Sequence, residues 1–222
     1  MNVSPLLISI RTASAAIVVT FFLGLLAARF VAGIRRGSVK MILDGILTLP
    51  LVLPPTVAGF FLLYIFGVRG PVGRFFLEFF AVKIAFSWGA TVLAAVAISF
   101  PLMYRSARGA LEQVDRNLIY AGRTLGMGEW AIFWKVSLPS ALPGVASGGV
   151  LAFARGLGEF GATAMIAGNI AGKTRTLPLA IYSAVAGGDM ETAWGYVTVI
   201  VLFSFIVVAL MNWFTAQESG KR

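Results

Sequence analysis

Charged side chains interrupt this chain so rarely that the gaps between them form its clearest pattern. Five stretches contain no Asp, Glu, Lys or Arg: 12–28, 45–68, 84–104, 136–154 and 192–217, each 17 to 26 residues long. A helix needs about 20 apolar residues to cross roughly 30 Å of hydrocarbon, so each stretch predicts one membrane-spanning helix. The expected spans are 6–31, 41–66, 85–104, a fourth beginning near Leu142, and 193–214. Two further gaps, 160–172 and 176–188, are 13 residues each. They are too short for independent spans and read as re-entrant, extramembrane or continuous with a neighbouring helix. The fold class expected is an all-α integral membrane protein of about five spans, forming one domain over residues 1–222.

The connections have their own pattern. An outer connection, 67–83, contains the turn formers Gly70-Pro71 and Gly73. A long inner loop, about 105–140, lies between spans three and four. In it, 111–125 mixes charged and apolar residues as a solvated amphipathic helix does. Gly126 and Gly128 then permit a tight reversal. Residues 129–136 predict a short helix with Trp130, Phe133 and Trp134 on one face. Such a face suits either a helix lying on lipid headgroups or an aromatic plug inserted into a partner's groove. A second outer connection, 161–192, leads to span five, whose flanking Trp194, Tyr196 and Trp213 fit an aromatic belt.

Composition narrows the classes. With 59% hydrophobic and only 12% charged residues, the chain lacks the polar surface of a soluble domain. It has no cysteine and no histidine, which excludes disulfides, thiolate nucleophiles and His-based acid–base catalysis. No metal site, catalytic constellation or nucleic-acid-binding role is expected. The net charge is +9, and its placement is informative. With the amino terminus outside, eleven Lys and Arg residues fall on inner segments and six on outer ones, the bias expected of cytoplasmic loops. The first span is followed, not preceded, by basic residues, unlike a cleavable signal peptide.

Three features within the spans invite chemical readings. Pro50, Pro54 and Pro55 interrupt span two, and each proline removes a helical hydrogen bond. The outcome is either a kink or a broken helix lining a substrate path, with Phe60 and Phe61 as an apolar closure. In span four, Gly144, Gly148, Ala152 and Gly156 form a stripe for close helix approach. Arg155 and Glu159 lie one turn apart at its outer end. They either pair with each other, or Arg155 meets an anionic substrate while Glu159 holds it in place. Glu159 is the one carboxylate this reading counts within the spans, which argues against a secondary transporter. Finally, 167–174 (Ala-Gly-Asn-Ile-Ala-Gly-Lys-Thr) matches a relaxed phosphate-binding loop. It lacks the preceding parallel strand that such a loop needs, so no nucleotide is expected to bind here.

Certain strings resemble a known family. The run from Tyr120 to Pro139, with Gly126 followed by Leu138-Pro139, is similar to the coupling loop of type I ATP-driven importer permeases. The strings at 49–56 (Leu-Pro-Leu-Val-Leu-Pro-Pro-Thr), 153–163 (Phe-Ala-Arg-Gly-Leu-Gly-Glu-Phe-Gly-Ala-Thr) and 174–178 (Thr-Arg-Thr-Leu-Pro) look like the molybdate-transport permease family. The resemblance covers nearly the whole chain. It departs from the pattern at Tyr120-Ala121-Gly122, where family members often carry Glu-Ala-Ala. What it implies is a homodimeric permease in a prokaryotic inner membrane, importing molybdate, with tungstate as a further substrate. Sulfate or another oxyanion is the alternative. The permease would be no enzyme and bind no cofactor itself. ATP would sit on two partner ATPase subunits, and an extracytoplasmic binding protein would deliver the oxyanion. The implied ATPase-docking residues are Tyr120, Ala121, Gly122, Gly126, Trp130, Phe133, Trp134, Leu138 and Pro139. The implied translocation path includes Pro54, Pro55, Phe60, Phe61, Arg155 and Glu159.

Overall fold

The computed structural model describes residues 2–34 and 36–219, with side chains through residue 209; the side chain of Trp213 and the basic residues Arg35, Lys221 and Arg222 lie outside these. Every regular element described is helical. Helix α1 (Ser4–Ala32) is followed by α2 (Gly37–Val52) and α3 (Pro55–Phe66), which meet at a bend of 109°. A short α4 (Pro71–Phe80) leads to α5 (Trp88–Glu112). Beyond it, α6 (Arg116–Thr124) and α7 (Glu129–Ile132) form the inner loop. A π-helical turn (Phe133–Ser137) fuses α7 to α8 (Leu138–Leu157). The chain ends with α9 (Gly161–Ile166), α10 (Leu177–Ala186) and α11 (Met190–Ser219).

The register between helices settles the span count. Thr12 and Thr91 share a buried hydroxyl–hydroxyl bond of 2.9 Å, and Thr20 and Ser99 one of 3.2 Å. Each pair is 79 residues apart, and Gly24 abuts Met103 at the same offset. A constant offset means that α1 and α5 run parallel, so the intervening chain crosses back once. The bent pair α2–α3 is therefore one broken span, and the total is five. By contrast, Gly148 abuts Ser106 while Gly156 approaches Ala95 and Ser99, so α5 and α8 are antiparallel. The small residues of span four thus let α8 pack on α5 of the same chain.

The two ends of the bundle are equally defined. At one end, the Ser9 hydroxyl accepts from the Leu177 amide at 2.7 Å, and the Tyr196 hydroxyl donates to the Asn2 carbonyl at 3.0 Å. At the other, Lys40 pairs with Glu112 at 2.8 Å. This second end carries Arg29, Arg36, Lys40, Arg105, Arg108, Arg116, Arg123 and Lys135, and the positive-inside bias makes it the cytoplasmic end. The main hydrophobic core lies toward that end, built on Leu25, Val31, Met103, Tyr104, Phe133 and Val145.

Several boundaries differ from the sequence expectation. The third span continues as helix to Glu112, eight residues into the expected loop. The fourth begins long before Leu142, because 129–157 is one continuous helix. Proline at 139 lacks an amide to close a regular turn, and the π turn, with the Leu138 amide bonded to the Phe133 carbonyl, accommodates it. Thr48 is bonded to its own helix, but Asp44, inside the second span, makes cross-helix bonds and is the carboxylate the sequence reading passed over.

A Cβ at Gly148 would stand 2.3 Å from Ser106 Cβ, whereas one at Gly45 would meet nothing within 4 Å. Overpacking costs about 1–3 kcal/mol. Gly148→Leu should accordingly lower the thermal midpoint of the purified protein by several degrees, and Gly45→Leu should leave it near wild type.

Candidate functional site

Two places break the regularity of the bundle, one at each end, and the expected site residues divide between them. In the outer half of the bundle the broken span turns at Leu53 and Pro54, both extended (ψ 139° and 134°). The consecutive prolines explain why this is a break and not a kink. Pro55 disfavours helix at Pro54, then itself starts α3 at a position where no amide is needed. Span four breaks too, between Gly158 and Phe160. The two breaks abut, since a Cβ on Gly161 would lie 3.0 Å from Pro55 Cβ and 3.2 Å from the Thr56 amide nitrogen. Just beyond, Gly59 sits against the backbone of Ala162.

Glu159 holds this junction. Its side chain is 2% exposed; Oε2 accepts from Arg155 Nη1 at 2.9 Å, and Oε1 accepts from the Ala162 amide at 2.8 Å. One carboxylate thus neutralises a cation at membrane depth and satisfies a free amide at the start of α9. The Arg155 side chain remains 34% exposed. Phe60 and Phe61 are exposed on the surface of this chain, with ring centroids 6.0 Å apart. Any closure they make is against something outside it.

At the inner end, Asp115 caps α6 through the Asn117 amide at 2.9 Å. The helix stops at Gly126, whose φ of +75° only glycine adopts without strain. The Met127 amide returns to the Gly122 carbonyl at 3.0 Å, and the reversal is clasped by Arg123 Nε to Glu129 at 2.7 Å. Gly122 is buried against Ile132, which is why the reversal packs tightly. Tyr120, Ala121, Trp130, Trp134 and Pro139 are exposed, and Leu138 is partly buried.

Phe133, expected on the same exposed face, is instead only 2% exposed and belongs to the core, under the Arg29 guanidinium at 5.4 Å. It lies about 60° round the helix from Trp130, just far enough to face the bundle. The exposed apolar group gains Leu125, 80% accessible at the reversal, which the sequence reading assigned to the preceding amphipathic helix.

An ionic cluster behind this loop went unnoticed in the sequence. Tyr104 donates to Asp44 at 2.9 Å, Arg108 bridges Asp44 and Glu112, and Lys40 also reaches Glu112. Helix α2 has no buried residue, so these bonds, with partial packing of Leu43 and Leu47, seat it on α5. The signal was a carboxylate at the inner end of an apolar span, with an arginine 64 residues away.

The phosphate-loop look-alike is a self-contained turn. Thr174 Oγ1, fully buried, accepts from the Ile170 amide at 3.0 Å, and the Ile170 carbonyl accepts from the amides of Lys173, Thr174 and Arg175. Amides that would face a phosphate are directed inward. Among the described residues no group of His, Cys, Asp and Glu could hold a metal.

Residues 15–217 match the family described as binding-protein-dependent transport system inner membrane component. The chain is 45% identical over 183 residues to the molybdenum transport system permease protein ModB of Escherichia coli K12, covering 82% of this chain and 80% of that one. It is 41% identical over 207 residues to the putative molybdenum transport system permease protein YvgM of Bacillus subtilis, covering 92% and 90%. Among solved structures, the inward-facing MetNI methionine ABC transporter aligns with a TM-score of 0.70 at 17% identity over 96% of this chain and 95% of that one. A bacterial ABC transporter importing alginate aligns at 0.73 and 13%, over 97% and 79%. At such identities these two structures speak to fold alone.

Removing one partner of a buried ion pair costs about 3–5 kcal/mol. Glu159→Ala strands both Arg155 and the Ala162 amide and should depress the thermal midpoint strongly. Glu159→Gln keeps an acceptor for Ala162 and should do less harm. Equal losses would mean that the capping bond contributes nothing beyond the ion pair.

Proposed function

The chain belongs to the binding-protein-dependent transport system inner membrane component family, and on that premise we propose that it is the permease subunit of an ATP-driven molybdate importer. The observation that carries the substrate is the 41–45% identity, over most of both chains, to permeases named for molybdenum transport. Tungstate, of the same shape and charge, would share the route. The protein is a multi-pass membrane protein and a transport subunit, not an enzyme; the membrane is the prokaryotic inner membrane. Two copies would enclose the path, and an extracytoplasmic protein would deliver the oxyanion.

The mechanism follows from the two irregular ends. ATP would bind and be hydrolysed on partner subunits below, gripping the exposed Tyr120, Leu125, Trp130 and Trp134 of the inner reversal. Because 129–157 is one helix, displacement of Trp130 is carried rigidly to Arg155. There it would act on the junction of the two breaks, opening and closing a path past Pro54, Pro55 and the exposed Phe60 and Phe61. The substrate needs only weak contacts on the way through, since tight binding would stop release. Tyr120, where members of the resembled family often carry an acidic residue, would offer a ring and hydroxyl for docking in place of a salt bridge.

Uptake of labelled molybdate in cells with and without this chain tests the substrate. Uptake should require the chain and yield to excess tungstate but not to sulfate; competition by sulfate would reassign the substrate while leaving the permease fold. The docking role is tested separately. Gly126→Val places a branched residue at φ +75°, a strain of about 1–2 kcal/mol. The ATPase should then be lost on copurification while the membrane domain still folds, its thermal midpoint lowered by no more than a few degrees. An intact complex would remove the reversal from the docking surface.

A further inference from the structure

Helix α4 is unexplained by the transport reading. It carries Phe75, Phe76, Phe79 and Phe80 in a cluster, with ring centroids of 4.7 Å between 75 and 79 and 5.6 Å between 76 and 80. All four are exposed, Phe79 at 71%. Arg74 and Glu78 pair at 2.6 Å on the remaining arc of the helix. At 100° per residue, the phenylalanines, with Val72, occupy a contiguous sector, and the ion pair with Pro71 occupies the other. The helix is therefore amphipathic, but its apolar sector covers no core.

Its position is fixed by its ends. Gly73 is buried so closely on the last turn of α3 that a Cβ there would stand 2.0 Å from the Gly67 carbonyl oxygen. The short segments 67–70 and 81–87 tie it between the outer ends of two membrane-crossing elements, α3 and α5. A helix so tethered stays at the level where those spans leave the hydrocarbon. Around it are the cations Arg69, Arg74 and Lys83 against the single carboxylate Glu78. Phenylalanines on an amphipathic helix insert at the acyl–headgroup boundary, with basic side chains of its polar face toward the headgroups.

We propose that α4 is an interfacial anchor, its Phe75–Phe76–Phe79–Phe80 sector embedded in the outer-leaflet lipid surface and its Arg74–Glu78 arc facing water. It tethers the outer end of the broken span, so that motion at the Leu53–Pro54 break pivots against a point held by lipid. This goes beyond the transport reading and holds whatever oxyanion is carried.

The natural absence of cysteine allows clean site-directed spin labelling. Phe79→Cys and Glu78→Cys are each labelled with a nitroxide in the full chain, purified in its complex and reconstituted in bilayers of phosphatidylethanolamine and phosphatidylglycerol. Collision rates with oxygen, which partitions into lipid, and with a water-soluble nickel chelate are then compared. The label at 79 should favour oxygen several-fold, and the label at 78 should favour nickel. Nickel access at 79 would place the helix in water and overturn the proposal. Protection of 79 from both reagents would place it under a protein, a second copy or a binding protein, and overturn it equally. Phe75→Cys gives the same reading from the same sector should Phe79→Cys fail to assemble.

Discussion

Within hydrocarbon every backbone amide must find its partner in the protein, because no water is there to supply one. A straight apolar helix meets that demand unaided. Each departure from one in this chain depends on a specific acceptor, and the residues that serve are few. Glu159 takes the Ala162 amide where span four breaks. Ser9 takes the Leu177 amide where α10 begins. The Ile170 carbonyl takes three amides at once in the turn between α9 and α10. Where the chain offers no acceptor, it uses proline, which has no amide to satisfy: Pro54 and Pro55 form the turn of the broken span. The irregular parts of the fold are thus placed by a handful of polar atoms in an otherwise apolar sequence.

That constraint also organises movement. The breaks in spans two and four touch through Pro55 and Gly161, so a displacement of one bears directly on the other. The helix 129–157 extends ~43 Å at 1.5 Å per residue. It carries the exposed aromatics of the reversal at one end and Arg155 near the other. On the cytoplasmic side the Lys40–Glu112–Arg108–Asp44 cluster seats α2 on α5 only three residues before Asp115 caps α6. The inner loop therefore has two connections to the junction of the breaks: the continuous fourth span, and α2 through the ionic cluster. A family member coupled to an external energy source needs such a linkage, and the described residues supply one.

How much of this was legible depends on the range of the signal. The five spans were readable because absence of charge over 20 residues is a local property with one physical meaning. The reversal at Gly126 was equally local. The 109° bend was not, since prolines permit both a kink and a break, and the packing of Gly161 on Pro55 helps decide. Phe133 was misplaced because a three-aromatic face about 100° wide has an edge, and tertiary packing chooses which edge is buried. Asp44 was passed over because its partners, Tyr104 and Arg108, lie 60 and 64 residues away. Helix α4 was hidden by Gly70-Pro71 and Gly73, which read as turn formers although Pro71 starts the helix and Gly73 seats it.

The ion pair that the sequence offered for Arg155 is formed, and it leaves the guanidinium room for the substrate contact proposed above. A guanidinium has five donors, and Glu159 engages it through one nitrogen, Nη1. No other bond to Arg155 is made among the described residues, and a third of its side chain is accessible while Glu159 is sealed. An oxyanion passing the junction would meet hydrogen-bond donors from a cation whose charge is already balanced. Such a contact is directional but weak. A bare arginine at that depth would bind a dianion too firmly to release it, and an apolar lining would not admit it. A paired arginine satisfies the membrane's demand for neutrality, and on the proposed path the same two side chains would also offer transient contact.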